Sequence, residues 1–390
     1  MDGVFDFDEV IDRRGTASEK WEKYRGRDIL PMWVADMDFR SPPAVIAALH
    51  RRTEHGVFGY TGPPPELVAA TLSMLERDHG WQVDPGWIVW LPGLVSGLNV
   101  TCRAVGEDGD EVLTLTPVYP PFFSAPGNSR RGVVRVPLRE ENNRWGLDFE
   151  RLEAAVTPRT RLFMLCNPHN PVGRVFDRAE LQGLADFCLQ RGIVICADEI
   201  HCGLLLDPDK RHIPIATLAP EVAQSTITLM APSKTFNTAG LSTAAVVAPN
   251  PDLHKKFEDE AERSGFDLGN ALGIVAFEAA YAHGGDWLDE LLPYLEANID
   301  FLEKFLAERL PKVRLVRPEG TYLALLDCRG LGLEPASLND FFLKKARVYF
   351  SDGAIFGEEA AGFVRINFGC PRALLVEALE RIERAVKELG

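Results

Sequence analysis

A lysine stands among small and hydroxyl residues in Ala231-Pro232-Ser233-Lys234-Thr235-Phe236-Asn237-Thr238-Ala239-Gly240, directly after the apolar run "TITLMA". An amine in that setting is either a solvated surface charge or a nucleophile able to form a Schiff base with an aldehyde. Other apolar runs end in equally polar company. "GIVICA" is followed by Asp198-Glu199-Ile200-His201, "RLFMLC" by Asn167-Pro168-His169-Asn170-Pro171-Val172-Gly173, and "EVLTLT" by Pro117-Val118-Tyr119-Pro120-Pro121. "WIVWL" leads into Pro92-Gly93-Leu94-Val95-Ser96-Gly97. Each group has a chemical use. A glycine turn opening a helix presents the N–H groups of Leu94 and Val95 to a phosphate, with the Ser233 hydroxyl as a further contact. The Tyr119 ring can stack on a planar ring. Asn170 can hydrogen-bond a ring oxygen, and Asp198 can hold a heteroaromatic nitrogen protonated. Plainer uses exist too: Asp198 as a helix cap, Asn170 as a turn residue, Tyr119 as a core aromatic. Asp198, Glu199, His201 and Cys202 crowd into one segment without a second cluster, which argues against a metal site.

The elements that must position these residues follow from length and periodicity. At 390 residues the chain exceeds the usual size of one hydrophobic core, so two domains are expected. From about Glu66, helix-like stretches such as "ELVAATLSMLERDHG" alternate with short β-branched runs. That alternation predicts an α/β fold with a mostly parallel, mixed sheet covered by helices. After about Gly285 a long helical stretch, "WLDELLPYLEANIDFLEKFLAERL", leads to "VRLVRPEGTYLALLD", "FVRINFGC" and a last amphipathic helix, which reads as a smaller α+β domain. The expected division is 48–285 for the large domain, with 1–47 and 286–390 forming the small domain and its N-terminal segment. That segment is expected to pack on the small domain or on a partner subunit. In parallel sheets ligands bind beyond the carboxyl ends of the strands, so the glycine turn, aromatic, amide, carboxylate and amine converge on one region. A phosphate, an aromatic pyridinium and an aldehyde together describe pyridoxal 5′-phosphate (PLP).

The net charge of −15 excludes a general electrostatic affinity for nucleic acid or anionic membranes. No apolar run is long enough to span a bilayer, and the start, "MDGVFDFDEV", is acidic where a signal peptide is basic and then apolar. The seven cysteines include no C-x-x-C pair and sit mostly in apolar runs, as reduced core residues of a cytoplasmic protein would.

The ordered set "MWVADMDF", "HGVFGYTG", "PVYPPFF", "CNPHNPVGRV", "DEIH", "APSKTFNTAGL", "EGTYL" and "GCPR", from Trp33 to Arg372, resembles the fold-type-I PLP enzymes of the class I/II aminotransferase superfamily. Within it the chain is most similar to the cystathionine β-lyase-like C–S lyase branch. The resemblance implies that Lys234 is the Schiff-base lysine and the base for the α-proton. It implies that Asp198 pairs with the ring nitrogen, and that Asn170 and His201 serve the ring oxygen. Tyr60 would reach the phosphate from the other subunit of a homodimer with shared active sites. Arg365, in "VRIN", would clamp the substrate α-carboxylate, since a guanidinium binds carboxylate in bidentate fashion; a surface ion pair is its plainer use. Trp33, Ala35 and Asp36 would line the substrate pocket.

Three positions depart from the pattern. Ser242 stands where many relatives carry a phosphate-binding arginine, Leu325 where the lyase branch has a tryptophan, and Gly203 where it commonly has an acidic residue. The reaction implied is cleavage of L-cystathionine or a related cysteine S-conjugate to a thiol, pyruvate and ammonia. Transamination uses the same residues, and a regulatory protein acting by protein contact is the alternative of another class.

Overall fold

The computed structural model describes residues 5–266 and 270–389; residues 1–4, where the acidic N-terminal run begins, lie outside them. The β-branched runs form a seven-stranded sheet in the order Ile88–Leu91, Ala244–Val247, Thr226–Met230, Val194–Asp198, Thr160–Cys166, Glu111–Thr116, Gly132–Pro137. Glu111–Thr116 and Thr226–Met230 are buried along their whole length, and Val194–Asp198 beyond its first residue, because helices cover both faces. Ala244–Val247 alone runs against its two neighbours. It returns from Met230 without an intervening α-helix, through the loop that carries Lys234, and so cannot complete a parallel crossover. The other strands all point the same way, and their carboxyl ends share one edge.

A second, antiparallel sheet has the order Arg314–Val316, Leu323–Asp327, Phe363–Asn367, Ser351–Asp352. Helices Gly285–Arg309 and Arg372–Lys387 pack against it. One apolar cluster includes Trp90 and Phe277 beside the large sheet and Leu302, Ile366 and Leu375 beside the small one. The two sheets therefore share a core rather than meeting at a wet interface.

The N-terminal segment is fastened between them. Leu30–Pro31 pairs with Val348–Tyr349, and Asn367 Nδ2 donates to the carbonyls of Val34 and Asp36. On the other side Asn237 exchanges hydrogen bonds with Met37 and also donates to the Phe39 carbonyl. A buried ion pair underlies the segment: Lys20 Nζ lies 2.6 Å from Asp38 Oδ2, Arg13 Nη1 lies 2.7 Å from Asp38 Oδ1, and Trp21 Nε1 donates to Asp38 Oδ1. Burial pushes the Asp38 carboxyl up, but Lys20 and Arg13 outweigh it and hold the group below the usual range. Removing one member leaves a buried charge unpaired, so Asp38→Ala is expected to lower stability by about 3 kcal/mol, read as an earlier urea midpoint. An unchanged midpoint would show that the pair contributes nothing to holding the segment.

Candidate active site

The carboxyl edge of the large sheet and the small sheet enclose a cavity of about 560 Å³. Its wall takes in Leu94, Val95, Tyr119, Asn170, Asp198, His201, Ser233, Lys234, Trp33, Ala35 and Arg365, so the structure gathers these expected positions. Two expected positions lie apart from it. Asp36 is turned away to Arg13, with oxygens 2.7 and 3.0 Å from the guanidinium, because that cation lies on its side of the segment. Tyr60 is fully exposed on this chain and reaches no part of the cavity.

At one end the helix Leu94–Ala104 starts with no side-chain cap. Gly93 there has φ 146°, a conformation that suits glycine, and the turn leaves the first N–H groups of the helix unclaimed by a side chain. Ser233, Ser242 and Thr243 add hydroxyls to the same cavity. Hydroxyls and a helix N-terminus therefore stand in place of an arginine's charge, and an anionic phosphate fits them.

Asp198 is buried at the end of its strand, and Ile200 N–H donates to it at 3.2 Å. No helix starts here, so its use as a helix cap is not realised; the side chain holds a turn instead and stands on the cavity wall. Burial pushes its carboxyl up to about 7, against the Ile200 hydrogen bond and the Lys234 charge. A buried carboxylate of this kind calls for a cation, and a protonated ring nitrogen supplies one. His201 is buried and held neutral, its pKa pushed down to about 3 by burial and by the charges of Lys234 and Arg365. Its Nδ1 is buried without a hydrogen-bond partner, as is fitting for a group that awaits a ring oxygen.

Arg365 sits in the middle of a buried strand, in register with Leu325 and Ser351. Its Nη1 donates to Asn170 Oδ1 at 3.0 Å, and its Nη2 donates to the Trp33 carbonyl at 2.7 Å and to Ser351 Oγ at 3.3 Å. Its Nε has no partner, and no carboxylate among the described residues pairs with the guanidinium. Burial lowers its pKa to about 10, the mark of a cation whose counter-ion comes from elsewhere. An α-carboxylate matches that need. Leu325, opposite Arg365, is buried in an apolar cluster with Val316 and Phe363 and does not reach the cavity wall. Gly203 does not line the cavity, and a Cβ there would meet Thr235 Cγ2 at 2.9 Å, so a larger residue would have to displace Thr235.

Lys234 is partly buried, and its Nζ donates to the Ala35 carbonyl at 2.7 Å. Burial lowers its pKa to about 8, with Arg365 acting in the same direction and Asp36 and Asp198 against it. The neutral amine is the nucleophile, so covalent uptake of an aldehyde by cofactor-free protein is expected to quicken about tenfold per pH unit up to about 8 and then level off. Stopped-flow absorbance checks this; a rise continuing past pH 10 would mean an ordinary, solvated lysine.

Sequence reasoning did not find two contributors. Ser351 braces Arg365, and Tyr322 donates its hydroxyl to the same Ala35 carbonyl that holds Lys234, at 2.9 Å. Nor did it show that Trp33 and Ala35 act through backbone oxygens.

Residues 27–382 match the model of the aminotransferase class I and II family, and the chain belongs to that family. It is similar to cystathionine beta-lyase PatB of Bacillus subtilis, with 42% identity over 385 residues that cover 97% of this chain and 99% of the relative. Among solved structures it resembles cystalysin from Treponema denticola, which contains a pyridoxal 5′-phosphate cofactor (TM-score 0.96, 33% identity, 99% of this chain and 100% of that one). It also resembles the PLP-bound C–S lyase from Staphylococcus hominis (TM-score 0.92, 32% identity, 98% of each chain).

Proposed function

We propose that the protein is a PLP-dependent carbon–sulfur β-lyase that cleaves L-cystathionine or a related cysteine S-conjugate to a thiol, pyruvate and ammonia. The observation that carries this reading is the juxtaposition of a depressed lysine amine, a buried carboxylate and an unpaired buried guanidinium around one cavity. The lyase similarity sets the reaction type.

When bound, PLP supplies the electron sink that makes the α-proton removable and the β-thiolate a leaving group. Leu94 and Val95 N–H groups and the Ser233 hydroxyl would hold its phosphate. Tyr119 would pack on the ring face, Asp198 would keep the ring nitrogen protonated, and Asn170 and His201 would serve the ring oxygen. Arg365 fixes the substrate α-carboxylate, which orients the Cα–H bond toward Lys234. The neutral amine of Lys234 would take the proton from Cα. The Trp33–Ala35 backbone positions both cations and shields them from water.

In the assembled enzyme Tyr60 is the partner subunit's gift to the phosphate, and the protein works as a homodimer. The support is an exposed run in which Val57, Phe58 and Tyr60 all lie open, an apolar patch that a second copy would cover. Seven free, buried cysteines fit a reducing cytoplasm.

The test is incubation of the PLP-loaded protein with L-cystathionine and no 2-oxo acid, with light scattering to give its mass. Thiol and pyruvate in equal amounts, from a particle of about twice 43.3 kDa, are the expected result. Turnover only with an added 2-oxo acid would replace the lyase by a transaminase, and a monomer would leave Tyr60 without a role.

A further inference from the structure

The cavity has an outer end that the chemistry above does not use. Glu19, the first residue of the short helix Glu19–Glu22, and Lys23, the residue that caps its C-terminus, sit there, and both contribute to the wall. They are four residues apart, yet among the described residues they make no ion pair with each other or with any other group. Lys23 is nonetheless held in place. Its Nζ lies 4.1 Å from the centre of the Trp33 ring and 4.5 Å from that of Tyr349, and it donates to the Tyr349 hydroxyl at 2.9 Å. An aromatic clamp fixes a cation while leaving its charge unneutralised. Asn339, on the same wall, has a buried Oδ1 with no donor. Trp33 joins the two ends of the cavity, with its carbonyl on Arg365 and its ring under Lys23. A substrate whose α-carboxylate is on Arg365 therefore extends its S-substituent toward one fixed cation, one free carboxylate and one amide oxygen.

We propose that Lys23, Glu19 and Asn339 form a distal subsite that reads the far end of the thioether. Lys23 takes a carboxylate; Glu19 and Asn339 Oδ1 take an ammonium. The substrate class is then the cysteine S-conjugates whose S-substituent ends in a zwitterionic amino acid, in preference to those ending in a plain alkyl group. This rests on the lyase reading of the inner site and adds the selection made at its outer end. Lys23 and Glu19 touch substrate only beyond the scissile bond, so they set specificity and take no part in the chemistry.

Two probes of similar length and opposite charge test it on the PLP-loaded enzyme: S-(2-carboxyethyl)-L-cysteine and S-(2-aminoethyl)-L-cysteine. Lys23→Met is expected to lower kcat/KM for the carboxyethyl probe relative to the aminoethyl probe by about 5-fold, and Glu19→Gln to shift the same ratio by about 5-fold in the opposite direction. Lys23→Arg keeps the charge and is expected to keep the ratio. A parallel fall on both probes, or an unmoved ratio in both charge-removing variants, overturns the subsite. Affinities of the same probes, followed by the absorbance of the loaded enzyme, give the ratio without thiol release. Failure of pyruvate formation would thus sink the lyase reading alone, while the affinity ratio still decides for or against Lys23 and Glu19.

Discussion

Lys234→Ala is expected to lower kcat by at least about 10⁴-fold and to abolish the borohydride-reducible attachment of the cofactor. Both effects come from one atom. In the proposed mechanism one Nζ both links to the aldehyde and takes the α-proton, so alanine would remove a nucleophile and a proton acceptor together. Lys234→Arg separates charge from basicity: a guanidinium keeps the positive charge near Asp198 but does not give up its proton, so its activity is expected to be as low as that of the alanine variant. The fold is expected to survive the alanine change. Burial depresses the lysine pKa, which means that the folded state pays for the charged amine near neutral pH, and removing it relieves that cost. Reduction of the loaded alanine variant with borohydride, followed by mass measurement, decides the matter. A cofactor adduct retained on the chain would move the nucleophile elsewhere.

Asp198→Asn is expected to give an enzyme about 10³-fold slower in kcat/KM, whose cofactor-free form is more stable than the parent at alkaline pH. The stability sign follows from the raised carboxyl, about 7 in the folded chain against an ordinary value of 3.8. Between those values the folded state binds the proton that the unfolded state has lost, so stability falls as pH rises from about 4 to about 7, and the full penalty persists above 7. Asparagine fills the same space, keeps an oxygen for the Ile200 N–H, and carries no charge to desolvate. Its gain at pH 8 is on the order of 4 kcal/mol in the cofactor-free protein. Loaded with PLP the order is expected to reverse, because a protonated ring nitrogen pairs with aspartate and not with asparagine. Denaturation midpoints of both proteins at pH 5 and pH 8, with and without cofactor, check the four signs. A variant less stable than the parent without cofactor at pH 8 would show that Asp198 serves the fold rather than the site.

The inner wall of the cavity was legible in the sequence where side-chain type and strand-end position coincide. Asp198 follows its apolar run directly, Lys234 and Asn170 follow theirs within four residues, and the parallel sheet places such residues on one edge. Arg365 was harder to read, since alternation along "FVRIN" could equally have turned it to solvent; burial on both faces of that strand decides its direction. Other features leave no trace in residue type. A carbonyl has the same chemistry on every residue, so nothing marks Ala35 as the acceptor for Lys234. Asp36 and Asp38 look alike in "ADMDF", and only the folded positions of Arg13 and Lys20 assign them to ion pairs. The antiparallel course of Ala244–Val247 was hidden because its residues fit either direction, and the missing helix before it is the only cue.

The hydrogen bond from Lys234 to the Ala35 carbonyl spans 199 positions of the chain. The residue at 35 can change its side chain without disturbing it, whereas a shift of the segment by a single position takes the oxygen away. An insertion or deletion between Leu30 and Asp38 is therefore an active-site mutation, although it alters no group that takes part in the chemistry. The length of this stretch, more than its composition, is what a working enzyme has to preserve.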